Sequence, residues 1–134
     1  MRIVLDTNIL LVSISPKSKY YWIFEQFLNE KYTLCVTTDI LSEYEEIISQ
    51  YMSAEVANEV LQIIENARNV AFITKYYRWN LINNDPDDNK FVDCAISCNA
   101  RYLVTQDKHF NVLKKVGFPK IEVINIQQFK QLQQ

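Results

Sequence analysis

Apolar residues recur along the chain with two alternating periods. Ile3-Val4-Leu5 reads as a short buried strand, and Ile9-Leu10-Leu11 continues it as an apolar turn before a polar break around Pro16. Residues 19–30 then place Tyr20, Ile23, Phe24, Phe27 and Leu28 at helical spacing. Residues 32–37 (YTLCVT), rich in β-branched and aromatic side chains, predict a second strand. A helix over 40–51 follows, capped by Thr38 or Asp39, with Leu41, Tyr44, Ile47 and Ile48 on one stripe. The next helix spans 53–68 with Ser53 as its cap, and 70–73 (VAFI) is a short strand. After a polar connection over 74–87, Pro86 with Asp87 or Asp88 starts a helix over 90–100. Strands at 101–105 and 121–125 flank a short helix closed by Gly117, and a last helix begins at Ile126.

Strands alternating with helices throughout predict an α/β fold, a three-layer α/β/α sandwich around a central, mainly parallel sheet. Residues 1–134 read as one domain, with no repeat, linker or low-complexity stretch. In such sheets, sites form at the carboxyl ends of the strands.

Composition narrows the chemistry. A single glycine, Gly117, excludes any Gly-rich phosphate loop, and with it P-loop hydrolysis and Rossmann-type dinucleotide binding. With 14 basic and 16 acidic residues, net −2, the chain does not hold nucleic acid by bulk charge, so such a role needs a local device. Cys35, Cys94 and Cys98 form no disulfide or zinc pattern and read as buried thiols, which suits a reducing cytoplasm. No apolar run is long enough to span a membrane.

The local device is sought among the acids. Asp6 directly follows the first core strand, where a buried carboxylate is costly unless something pairs with it. Asp107 sits just beyond the carboxyl end of the 101–105 strand. Asp88 opens the helix leading into that strand, and Glu43 lies one turn into the helix after the second strand. Taken singly, Asp88 and Asp107 are ordinary helix caps, and Glu43 with Glu45 and Glu46 an ordinary solvated face. Together they fall on one edge of a parallel sheet. No Lys or Arg stands at a matching strand end, so a divalent cation with oxygen ligands, Mg²⁺ or Mn²⁺, is the expected counter-charge.

The segments IVLDTNIL, ILSEYEEII, DPDDNKFVDCAI and ARYLVTQDKHF together resemble, in order and spacing, the four acidic motifs of the PIN-domain nucleases. The likeness is greatest to the VapC-like toxins of bacterial toxin–antitoxin modules, and it extends from Arg2 to the last strand. It implies a Mg²⁺- or Mn²⁺-dependent ribonuclease whose catalytic and metal-binding acids are Asp6, Glu43 (with Glu46 as the alternative), Asp88 and Asp107. Asn8 and Thr105 match the polar positions that hold the first acid. Asp85 matches an acid common in one subgroup, and His109 stands where some relatives carry a further acid. The resemblance also implies an RNA substrate, an antitoxin partner and self-association into a dimer or higher oligomer. Lys17, Lys19, Lys108, Lys114 and Lys115 are candidates for flanking phosphates. Tyr76, Tyr77 and Trp79 are candidates for base stacking or for a partner surface. Two other readings stand beside this one. A PIN fold without catalysis would serve as an RNA- or protein-binding module, but all four acids are present. A phosphoacceptor receiver domain would need paired acids after the first strand and a lysine after the last, and has neither here.

Overall fold

A computed structural model of the chain describes residues 1–83 and 85–133. Five strands form one sheet: β1 (Arg2–Leu5), β2 (Thr33–Val36), β3 (Val70–Phe72), β4 (Tyr102–Val104) and β5 (Val123–Ile124). Their order is β3-β2-β1-β4-β5, and every pairing is parallel. β1 is central, with Ile3 opposite both Leu34 of β2 and Tyr102 of β4. Successive residues of a strand point to opposite faces. Ile3, Val4 and Leu5 are all at most 1% exposed, so both faces of β1 are covered, as the expected three-layer arrangement requires.

Six α-helices cover the sheet: α1 (Thr7–Ser13), α2 (Tyr21–Leu28), α3 (Thr38–Tyr51), α4 (Ala54–Asn66), α5 (Asn89–Ser97) and α6 (Ile126–Leu132). Two 3₁₀ segments, Pro86–Asp88 and Lys108–Lys115, complete the elements. Tyr44 of α3 is fully buried and donates its hydroxyl to the Leu5 carbonyl at 2.6 Å, tying α3 to the tip of β1. Cys35, Cys94 and Cys98 are buried free thiols, as expected. No helix among the described residues is long and apolar enough to cross a membrane.

Several local expectations are corrected. The apolar run after β1 is not a turn but α1, because Ile9 and Leu10 both donate their backbone N–H to the Asp6 carbonyl. The cap of α3 is Thr37, whose hydroxyl accepts from the Ile40 N–H, rather than Thr38 or Asp39. The cap before α5 is Asp85, whose carboxylate accepts from the Asp87 N–H, and Asp88 makes no capping bond. Gly117 does not close the helix before it: no glycine has positive φ, and Val116 ends the segment in extended conformation. The left-handed residues are Glu30, Asn80 and Asn99, and Asn99 lets the Ala100 N–H reach back to the Ala95 carbonyl at the end of α5. Ser53 caps α4 as expected.

Candidate active site

Parallel pairing of β1 with β4 brings their carboxyl ends side by side, and the chain places an acid just beyond each. The Asp6 N–H donates to the Val104 carbonyl, so Asp6 is held as a last rung between the strands. Asp6 is only 7% exposed, and its carboxylate accepts a 2.7 Å bond from the Thr105 hydroxyl. The same Thr105 oxygen accepts the Asp107 N–H at 3.0 Å, so one side chain links the first and fourth acids. Of the two residues expected to hold Asp6, Thr105 bonds its carboxylate, and Asn8, two positions after Asp6, is exposed. Asp107 also accepts from the His109 N–H at the start of the second 3₁₀ segment. It therefore does cap its helix, and it does so within reach of the site.

The start of α5 delivers Asp88. Asn89 is buried and bonds both the N–H and the carbonyl of Ile82 at 2.9 Å, clamping the connection that precedes it. Asp93 is buried further along α5 and accepts the Trp79 N–H, a second clamp on that connection. With Asp85 serving as the cap, the Asp88 carboxylate is left free. Its Oδ2 is buried and has no hydrogen-bond partner among the described residues. His109 Nδ1 stands 3.7 Å from that oxygen and 3.5 Å from Asp107 Oδ1. Ligand atoms of Asp85, Asp88 and His109 lie within 4.8 Å of one another.

Burial and mutual repulsion dominate the electrostatics. Burial pushes the Asp6 carboxyl up, the bonds from Thr105 and the Thr7 backbone oppose this, and the Asp107 and Glu43 charges push it further up. Burial is also the largest cause for Asp88; the charges of Asp85, Asp107 and Asp6 add to it and His109 opposes, leaving its pKa raised to about 7. The charges of Asp6, Asp85 and Asp107 thus all bear on Asp88.

Glu43 differs from the others. Thr7, buried at the start of α1, donates its hydroxyl to Glu43 Oε2, and Lys90 Nζ lies 2.6 Å from Oε1. Lys90 also donates to the Asp87 carbonyl at 3.0 Å. The expectation that no cation pairs with the acids is thus corrected. The partner was hidden because it comes from a helix start rather than a strand end, inside the very motif that carries Asp88. Thr7, Asn89, Lys90 and Asp93 carry no signal in the sequence that marks them as parts of the site. Beside Glu43 opens a cavity of about 490 Å³, lined by Asp39, Glu46, Arg78, Lys90 and Asp93 among others. Acids outnumber bases along its wall, so it favours hydrogen-bond donors over phosphates.

The sequence model of the PIN domain matches residues 2–109, a span that holds every residue of this cluster. The chain belongs to the PIN domain family. Its fold resembles a chain of VapBC2 from Rickettsia felis bound to a promoter DNA fragment, at TM-score 0.63 and 20% identity, covering 93% of this chain and 98% of that one. It also resembles Mycobacterium tuberculosis VapC20, a sarcin-ricin loop cleaving toxin (TM-score 0.60, 9% identity, 81% and 92% covered). A third likeness is to the PIN domain endonuclease Utp24 (TM-score 0.54, 15% identity, 92% and 84% covered). No curated protein matches the chain.

This PIN site has the chemistry of a hard divalent cation site: carboxylate oxygens, one imidazole, and a buried acceptor lacking a donor. Without metal its repulsion is stored in the fold. The folded protein holds the Asp88 proton up to about pH 7, whereas an unperturbed aspartate releases it near 3.8. The folded state therefore binds more protons across that window, and stability falls as pH rises through it. In a chelator, Asp88→Asn is expected to raise stability at pH 8 by about 1–2 kcal/mol, allowing for solvent screening of a partly buried group. The gain should disappear near pH 4. Thermal melts at the two pH values measure it, and an equal effect at both would contradict the assignment of the strain to Asp88.

Proposed function

We propose that the chain is a Mg²⁺- or Mn²⁺-dependent ribonuclease, the toxin of a toxin–antitoxin pair, acting in the cytoplasm. The observation that carries this reading is the buried, partnerless oxygen of Asp88 amid the acids of Asp6, Asp85 and Asp107. Membership of the PIN family supports nuclease chemistry. Likeness in fold to a toxin that cleaves the sarcin-ricin loop and to an endonuclease supports RNA as the substrate.

In this reading Asp6, Asp88 and Asp107 hold the ion, with Asp85 and His109 beside them. A bound ion would supply a water of lowered pKa and neutralise charge at the leaving oxygen. The chain's own residues do the rest. Thr105 fixes the Asp6 carboxylate and the Asp107 backbone in one frame, so the two acids approach the scissile phosphate in a set relation. Asn89 and Asp93 hold the preceding connection against α5, which sets the depth of Asp88. Thr7 and Lys90 hold Glu43.

VapBC2, bound to a DNA fragment from its promoter, and FitAB, another neighbour in fold, were both solved on DNA. This supports an antitoxin partner here that inserts a basic side chain into the acidic cleft, where an arginine would pair with two carboxylate oxygens. Exposed aromatics support self-association: Tyr77 is 67% exposed, Phe118 is 84% exposed, and both pack edge-on against Trp79.

Two measurements test this function. Purified protein incubated with structured RNAs should cleave in Mn²⁺ and not in EDTA. Asp6→Asn should lower the rate more than about 100-fold and Thr105→Val by roughly 10–100-fold, as for a residue that orients a ligand. Cleavage that survives EDTA, or Asp6→Asn at the wild-type rate, contradicts the proposal. Light scattering at high micromolar concentration should give a mass of at least two chains; a monomer rejects self-association.

A further inference from the structure

The four acids expected to act alike are not alike in this fold. Asp88 has a buried oxygen with nothing bonded to it. Glu43 has both oxygens engaged, Oε2 by the Thr7 hydroxyl and Oε1 by the Lys90 ammonium at 2.6 Å. The Lys90 side chain is 17% exposed and that of Glu43 27%, so the pair is partly withdrawn from water. Lys90 is also braced by the Asp87 carbonyl, one residue from Asp88. Its charge is thus fixed against Glu43 and the backbone next to Asp88.

From this geometry we infer that Lys90 takes the place of a second divalent ion, so that the site holds one metal ion and Glu43 is not a ligand to it. The inference rests on the metal-dependent reading proposed above and adds to it the number of ions and the role of a residue outside the four acids. Two-ion nuclease sites set their metals about 3.5–4 Å apart and need carboxylates on both sides of the pair. Here the acid on the far side already carries a positive group at hydrogen-bond distance. A dication arriving at Glu43 would have to expel that ammonium or sit against it. One ion at Asp6, Asp88 and Asp107 meets no such obstacle. The arrangement keeps a positive charge at both ends of the cluster while only one end depends on free metal. Lys90 is in these terms a positioning residue: it neutralises Glu43 and holds it away from the ion.

Thr7 strengthens the argument. It opens α1 directly after Asp6, so its hydroxyl is placed by the same β1–α1 junction that places the first acid. Glu43 is therefore held from two separate elements, α1 and α5, and swinging it towards an ion would break a contact to each.

The test counts ions without relying on activity. Free Mn²⁺ is followed by electron paramagnetic resonance as protein is titrated. Wild type and Lys90→Arg should each bind one Mn²⁺ per chain. Lys90→Met leaves Glu43 without its cation and should bind a second. Glu43→Gln, which keeps the shape of the side chain, should weaken the single Mn²⁺ by no more than about tenfold, and Asp88→Asn by well over that. Circular dichroism shows whether each variant is folded; if Lys90→Met is not, the wild-type count and the Glu43→Gln affinity decide. Two ions in wild type, one ion in a folded Lys90→Met at unchanged affinity, or a Glu43→Gln loss as large as that of Asp88→Asn overturns the inference. No Mn²⁺ bound by wild type at all overturns the metal-dependent reading itself, and this inference with it.

Discussion

The bond from Thr105 to Asp6 is the constraint on which the rest of the site turns. Asp6 ends the central strand and begins α1; its backbone closes the β1–β4 ladder, and its carboxylate is buried against the neighbouring strand's end. Parallel pairing leaves no choice about which ends meet. Once β1 and β4 are adjacent, the acid after one and the acid after the other must share an edge. The core that makes this happen is apolar throughout: Ile3, Val4, Leu5, Leu103 and Val104 are essentially inaccessible. Hydrophobic burial thus forces carboxylates together that would separate in an unfolded chain.

That forced proximity has an electrostatic cost, and the fold meets it unevenly. Asp6 receives two hydrogen bonds, Asp107 is partly solvated, and Glu43 has a lysine. Asp88 has the least, and its pKa is correspondingly displaced to about 7. A site that leaves one acceptor bare is a site arranged for something that brings positive charge with it. Under the proposed function, an acidic chain would act on a polyanion through a bound cation rather than through its own side chains.

The architecture was largely legible because hydrophobic periodicity switches cleanly between strand and helix, and each predicted strand is present. The convergence of Asp6, Asp88 and Asp107 was legible for a related reason: an acid at a strand or helix end has its position set by topology. What escaped was whatever depends on side chains meeting across elements. Lys90 reaches Glu43 from another helix, and no local spacing encodes that contact. Thr37 and Asp85 cap in place of their neighbours because capping is decided by one residue's φ and ψ, which a run of Thr-Thr-Asp or Asp-Pro-Asp-Asp leaves open. The helix α1 was read as a turn because seven residues with four buried side chains are too few to show a period. Gly117 suggested a left-handed cap, yet Asn99 and Glu30 take that conformation at the ends of other helices.

The central claim is that Asp88 waits, partly protonated, for a cation. Calorimetry of Mn²⁺ binding in buffers of differing ionisation enthalpy measures it by counting protons released. With Asp88 titrating at about 7, binding at pH 7 should release about half a proton per ion, and the release should fall towards zero by about pH 8.5. Binding with no proton release at pH 7, or with a release that does not change with pH, would contradict the account.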